Sequence, residues 1–254
     1  MGRDTKALDV GCGVGGPMRN IHQFSGSDIT GVTINDYQVN IGNDYCAQMG
    51  MADKCRIVQG DFQKLTEKFD KESFDVAYAI EATCHSPNRY ECFSGVYHCL
   101  KPGGLFVGYE WVVLPNRGFN PNDPEHVRIK EGIEVGNGLP TLATPEVVAK
   151  ALEDSGFEIL EQYDANANCQ SSPYEIPWYS TLEGSFTING FRMTHIGRIC
   201  THIMVWTLET LRIAPRGSVR VSALLNATAL DLVEGGRKQL FTPSYFFIAR
   251  KNGK

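Results

Sequence analysis

Apolar positions in this chain gather into short runs separated by stretches of helical period. Ala7, Leu8 and Val10 form the first run. "DITGVTIN" (28–35), "CRIVQGDF" (55–62), "SFDVAYAIEA" (73–82) and "GGLFVGYEWVV" (103–113) follow. Runs of this length bounded by glycine or turn residues predict strands. After the second run, Tyr37, Ile41, Tyr45 and Met49 recur every fourth residue and predict a helix with one apolar face, ending at Gly50. Before the fifth run, Pro87 starts a predicted helix whose Tyr90, Phe93, Tyr97 and Leu100 share a face until "LKPGG" stops it. Strands alternating with helices imply a parallel, doubly wound sheet.

Further along, Thr144 is placed to cap a helix with Pro145 at its first position, Val148 and Leu152 on its apolar face, and Gly156 as its stop. The strands "FEILEQY" (157–163) and "SYFFIARK" (244–251) complete the pattern. Between them run two helical seams: Ile196, Ile199, Ile203 and Trp206, then Val221, Leu224, Leu225 and Leu232. A simple strand connection needs far less chain. This insert is expected to be a lid over the carboxyl ends of the strands, where open α/β sheets bind ligands. Residues 1–165 are thus expected to form the ligand-binding core. Residues 166–254 should supply the lid and last strand, packed with the core as one domain.

The composition narrows the class. A chain of 254 residues, 42% hydrophobic and 21% charged, suits one soluble α/β domain. The net charge of -5 and the lack of a basic run argue against a nucleic-acid partner. Eight cysteines occur with no C-x-x-C pair, which implies a reducing compartment, thiols packed as small hydrophobes and no metal site. No apolar h-region follows Met1 and no stretch of about 18 apolar residues occurs, so neither a signal peptide nor a spanning helix is expected. Membrane contact would then be peripheral. Oligomeric state is not legible.

The chemistry starts at "ALDVGCGVGGP" (7–17). Gly11, Gly13 and Gly16 satisfy the dinucleotide pattern G-x-G-x-x-G, whereas Asp9 followed by Gly11, Gly13 and Gly15 resembles motif I of S-adenosylmethionine-dependent methyltransferases. A carboxylate such as Asp9 suits the ammonium of S-adenosylmethionine and would repel a pyrophosphate. The second strand ends in Thr33 and Asn35, neutral groups resembling those of sterol and cyclopropane-forming methyltransferases, while Asp36, the residue an NAD site would use, lies at a predicted helix start. "GDF" sets Asp61 to accept from an adenine amine with Phe62 beside the ring, and "LKPGG" is a typical methyltransferase entry to strand five.

"IEATCHSP" (80–87) places Glu81 and His85 four residues apart at the end of strand four. With "LDVGCGVGGP", "YEW" (109–111), "GNGLP" (136–140) and "IPWY" (176–179), in this order from residue 7 to the carboxyl terminus, the chain resembles the sterol 24-C-methyltransferase family. That resemblance implies a mostly parallel seven-stranded sheet with a helical insert before the last strand. It also implies S-adenosylmethionine held by Asp9, Gly11, Cys12, Gly13, Gly15, Thr33, Asn35, Gln38, Asp61, Phe62 and Ile80. The implied substrate is a sterol with a 24,25 double bond, contacted by Asn137, Trp178 and Tyr179. Chemistry would rest on Glu81, His85, Tyr109, Glu110 and Trp111. Alkene methylation leaves a carbocation that aromatic faces stabilise, and Glu81 or His85 would remove the proton. A water-insoluble substrate and the family together imply peripheral attachment to the cytosolic face of the endoplasmic reticulum, or a cytoplasmic enzyme.

This chain departs from the family in "YEWVVL" for "YEWCMT" and "GNGLPT" for "GDGLPD", so that Asn137 and Thr141 replace two carboxylates. The family's aromatic-rich helical segment lies upstream of motif I, and a chain whose motif begins at residue 7 is expected to lack it. Exposed apolar surface on one sheet face, lower stability and impaired catalysis are the corresponding expectations.

Overall fold

The computed structural model describes residues 2–167, 176–185, 187 and 190–253. Cys169, among the cysteines counted above, lies outside them. Along the chain come β1 (Lys6–Val10), α1 (Gly16–Ser25), β2 (Asp28–Thr33), α2 (Asp36–Gln48), β3 (Cys55–Gln59), α3 (Leu65–Lys68), β4 (Phe74–Ile80) and α4 (Arg89–Cys99). Next are β5 (Leu100–Val113), α5 (Pro124–Asn137), α6 (Pro145–Asp154), β6 (Phe157–Asp164), α7 (Ser180–Glu183), α8 (His195–Thr210), α9 (Ser218–Arg237) and β7 (Phe241–Lys251). The seven strands form one sheet in the order β3-β2-β1-β4-β5-β7-β6. Strands β1 to β5 pair in parallel and β6 runs antiparallel to β7. The chain steps outward from β1 to β3, then restarts at β4 on the other side of β1. That reversal opens a crevice at the carboxyl ends of β1 and β4.

The described chain divides into two compact units, and their bounds differ from the expected boundary at 165. Residues 1–111, 143–165 and 243–254 make the first, and 112–142 with 166–242 make the second. In the first, a cluster of Ala7, Cys12, Met18, Ile29, Cys46, Ile57 and Tyr78 packs the β1 side of the sheet. Phe93, Phe106 and Phe247 meet edge to face on the other side at 5.1–6.1 Å. Lys251, almost wholly buried, donates to the carbonyls of Tyr97 and Leu100 and so satisfies the end of α4.

Four predicted helices need correction. Helix α2 forms, but its predicted stripe faces out: Tyr37, Tyr45 and Met49 are exposed, and Gly42 and Cys46 form the buried face. Helix α4 starts at Arg89 with Asn88, not Pro87, as its cap, and Leu100 already belongs to β5. The seams of α8 and α9 are also exposed at Ile196, Ile199, Ile203, Trp206, Val221, Leu224 and Leu225. Helix α9 instead buries Thr228, Ala229, Val233, Gly235 and Gly236.

This small-residue face explains the second unit. Helix α5, absent from the predicted elements although Asp123 caps it and Pro124 opens it, presents Gly132 and Gly136 to α9. A Cβ on Gly136 would stand 1.6 Å from Thr228 Oγ1 and 2.5 Å from Thr228 Cβ. Arg128 adds ion pairs to Asp231 and Glu234 across the same two helices. Helix propensity favours alanine over glycine by about 1 kcal/mol, but overpacking against the Thr228 side chain costs about 1–3 kcal/mol. Gly136→Ala is therefore expected to lower the urea midpoint, with part of the loss recovered when Thr228→Gly is added. A single variant as stable as the parent would contradict this packing.

Candidate active site

The glycine turn follows directly from β1. The amide groups of Gly11 and Cys12 both donate to the Val32 carbonyl at 3.0 Å, fastening the turn to β2, and Gly15 caps α1. Gly11 is at φ +80°, and a Cβ there would lie 2.4 Å from the Ala82 Cβ. Only glycine meets both demands. Beyond this turn lies a hollow of about 520 Å³, a size typical of small-molecule sites.

Its wall brings together Gly11, Gly13, Thr33, Gln38, Asp61, Phe62, Glu81 and His85 from the sequence expectations. Ile34, Gln63, Ala82 and Pro87 complete it. Thr33 Oγ1 donates to Gln38 Oε1 at 2.7 Å, and Asp61 accepts from the Gln63 amide at 2.9 Å, opening a turn of 3₁₀ helix at Phe62–Lys64. The wall carries two carboxylates, Asp61 and Glu81, and neither lysine nor arginine. Such a wall favours a cationic ligand over a pyrophosphate. Gln63 Oε1 is buried without a hydrogen-bond partner, an acceptor still to be satisfied. These features fit S-adenosylmethionine, with Phe62 and Asp61 for the adenine and Thr33 with Gln38 for ribose hydroxyls. Asp36, the outsider for NAD, is exposed on α2 and interacts with Asn40.

Other expected cofactor residues have structural surroundings of their own. Cys12 turns into the core, Gly15 caps α1, Ile80 is exposed at the end of β4, and Asn35 caps α2 by accepting from the Gln38 amide. Asp9 lies beneath the turn, 4% exposed and opposite Tyr78 in the β1/β4 register. Burial raises its carboxyl to about 7. The unfolded chain gives up this proton near 3.8. This group therefore contributes stability that is complete below that pH and lost as pH rises to about 7. Across that interval, Asp9→Asn is expected to flatten the fall in thermal midpoint of the ligand-free protein. Parallel pH series for the two proteins would contradict the assignment.

The segment after β4 carries the candidate chemistry. Glu81 stands at φ +53°, rare for a side-chain-bearing residue, with its amide donating to the Tyr109 carbonyl at 3.1 Å. A 3₁₀ turn at Thr83–His85 follows and brings His85 onto the same wall. Glu110, expected to act on substrate, is fully buried behind this segment. One of its oxygens accepts from the Thr83 hydroxyl and the other lies 3.7 Å from Arg89 Nη2. Burial raises the Glu110 carboxyl and Arg89 opposes that shift. Gln63 Nε2 ties down the far end through Ser86 and, at 3.3 Å, the Asn88 carbonyl. Thr83 and Arg89 were missed in the sequence because each finds its partner only through tertiary packing.

The expected aromatic and substrate residues make the following contacts. Tyr109 packs its ring on Phe246 at 5.2 Å, and Trp111 is half-buried. Trp178 meets Phe241 at 5.6 Å and Tyr179 packs against Gly236, both within the second unit. The Asn137 amide donates to Ile133 in its own helix at 2.8 Å.

Over 247 residues the chain is 44% identical to cycloartenol-C-24-methyltransferase of Arabidopsis thaliana, covering 97% of this chain and 71% of that protein. The chain belongs to the sterol 24-C-methyltransferase family. The methyltransferase is also 42% identical to sterol 24-C-methyltransferase ERG6 of Saccharomyces cerevisiae, covering 98% of this chain and 65% of that one. Residues 8–108 match the methyltransferase domain family and residues 188–252 the family described as sterol methyltransferase C-terminal. Among solved structures, geranyl diphosphate methyltransferase in complex with SAM superposes with a TM-score of 0.70 at 18% identity, covering 99% of this chain and 79% of that chain. Geranyl diphosphate C-methyltransferase from Streptomyces coelicolor gives 0.68 at 19%, covering 98% and 70%. At such identities the likeness shows the fold. The methyltransferase is an S-adenosylmethionine-dependent C-methyltransferase of sterols.

Proposed function

We propose that the methyltransferase alkylates carbon 24 of a sterol side chain bearing a 24,25 double bond, with Glu81 as the base that ends the reaction and His85 as its partner or alternate. The observation that carries this reading is the placement of both residues on the wall that begins at Gly11. S-adenosylmethionine, when bound, supplies an electrophilic methyl group. An alkene attacks without help from a base and becomes a carbocation, which a hydride shift relocates and loss of a proton discharges. The chain must therefore tolerate a cation and then accept one proton. Glu81 does both: its charge favours the cation and its oxygens take the proton. Its backbone, held by Tyr109, fixes where those oxygens begin. Glu110 acts through Thr83 as a positioning residue, since full burial keeps it from substrate. Peripheral attachment to the cytosolic face of the endoplasmic reticulum agrees with a sterol substrate and with the absence, among the described residues, of a helix long and apolar enough to cross a membrane.

The test is calorimetric titration with S-adenosylhomocysteine beside NADH, followed by turnover of a 24-ene sterol beside its side-chain-saturated analogue. Binding of the former ligand alone and methylation of the alkene alone are expected. Methylation of the saturated sterol, or of neither sterol while another isoprenoid is methylated, would overturn the substrate assignment.

A further inference from the structure

The second unit carries a surface made of residues to which the proposed function assigns no role. Along α8, Ile196, Ile199, Ile203 and Trp206 form an exposed stripe. At its end the chain turns through Leu211 and Ile213, which are 63% and 71% exposed. This turn is built: Arg212 adopts φ +59°, and the amides of Ile213 and Ala214 both donate to the Leu208 carbonyl at 2.9 and 3.1 Å. The apolar side chains are thus presented on a hydrogen-bonded turn.

Charge distinguishes this surface from an ordinary apolar face. The protein is acidic overall, yet between Gly184 and Leu230 it holds five arginines and one acid, Glu209. Glu209 turns its oxygens to the amides of Gly217 and Val219 at 2.9 and 2.7 Å. Arg198 is engaged internally by Asn226 and the Met193 and Leu182 carbonyls. Arg212, Arg216 and Arg220 are exposed around the apolar turn, and the first two line an open hollow of about 750 Å³ with Trp206. A second copy docking by this same face about a twofold axis would set arginines against arginines. An anionic bilayer offers the complement, phosphates for the guanidinium groups and acyl chains for Trp206, Leu211 and Ile213.

We propose that the α8–α9 turn is a membrane-docking element that inserts Leu211 and Ile213 into an anionic lipid surface while Arg212, Arg216 and Arg220 contact the headgroups. It deepens the peripheral attachment proposed above and rests on that reading. Vesicle co-sedimentation of the full chain tests it, with phosphatidylcholine alone and with phosphatidylserine added. The parent is expected to bind the anionic vesicles preferentially and to release in high salt. Arg212→Gln/Arg216→Gln/Arg220→Gln should weaken that binding on the order of 100-fold, about fivefold for each charge. Leu211→Asn/Ile213→Asn should weaken it more than tenfold on both vesicle types.

All substituted side chains are exposed, and both variants should keep the parent's thermal midpoint and its turnover of detergent-dispersed sterol. Equal vesicle binding by parent and variants overturns the proposal. So does an absence of vesicle binding, with or without self-association in light scattering that the variants abolish. Failure of the parent to methylate detergent-dispersed sterol counts against the proposed function instead, and leaves the vesicle comparison readable.

Discussion

Replacing Glu81 by glutamine is expected to lower kcat for a 24-ene sterol by about 10²–10⁴-fold, the usual contribution of a positioned general base, while S-adenosylhomocysteine affinity changes far less. Glutamine preserves the volume of the side chain and can be held by the same backbone contact from Glu81 to Tyr109. What it loses is the negative charge facing a carbocation and the capacity to accept its proton. The carbocation should then last longer and be captured by water or lose a proton elsewhere, so the product mixture is as informative as the rate. Single-turnover product analysis of Glu81→Gln and His85→Gln separates the two residues. Normal rate and products in the first variant, with loss in the second, would assign the proton to His85.

The second large effect belongs to a residue with no exposed surface. Glu110→Ala is expected to destabilise the protein by about 3–5 kcal/mol, because Arg89 would be left buried with its charge uncompensated. The Thr83 hydroxyl would lose its acceptor in the same step. Glu110→Gln keeps an acceptor for Thr83 and should recover only the part of the loss owed to that hydroxyl, since the Arg89 charge stays uncompensated. If Glu110 also positions the segment that carries Glu81, the glutamine variant should lower kcat while leaving KM nearly unchanged, and the alanine variant should lower it further. Urea unfolding and steady-state kinetics on the two variants check this. An alanine variant with an unchanged unfolding midpoint would remove the basis of the argument.

Much of the sheet is legible from local pattern, because apolar runs with glycine stops are made by neighbours in sequence. The turn from β1 into α1 is of this kind, as are Asp61 and Thr33 at strand ends. Helix α2 shows where local pattern misleads. Its aromatic stripe looks like a core face, yet Gly42 and Cys46 are small enough to let the helix sit directly on β3, where a Cβ on Gly42 would stand 2.3 Å from Ile57. Tyr45 then finds its partner in Arg19, 5.2 Å away. Helix α9 repeats the lesson with Thr228 and Gly136. Strand alternation correctly puts Glu110 on the opposite side from Tyr109. It says nothing of what closes that side, since Thr83 lies 27 residues away in sequence. The two replaced family carboxylates also read differently in place. Asn137 closes its own helix, and Thr141 joins Lys130 in hydrogen bonding to Glu134.

The close approach of Gly11 to Ala82 means that the glycine turn and the segment carrying Glu81, the proposed base, are two sides of one partition. Neither side can thicken alone. Among divergent relatives of this enzyme, position 11 should therefore stay glycine, and position 82 should stay no larger than alanine. Selection on cofactor affinity and selection on product outcome would act there on a single shared trait.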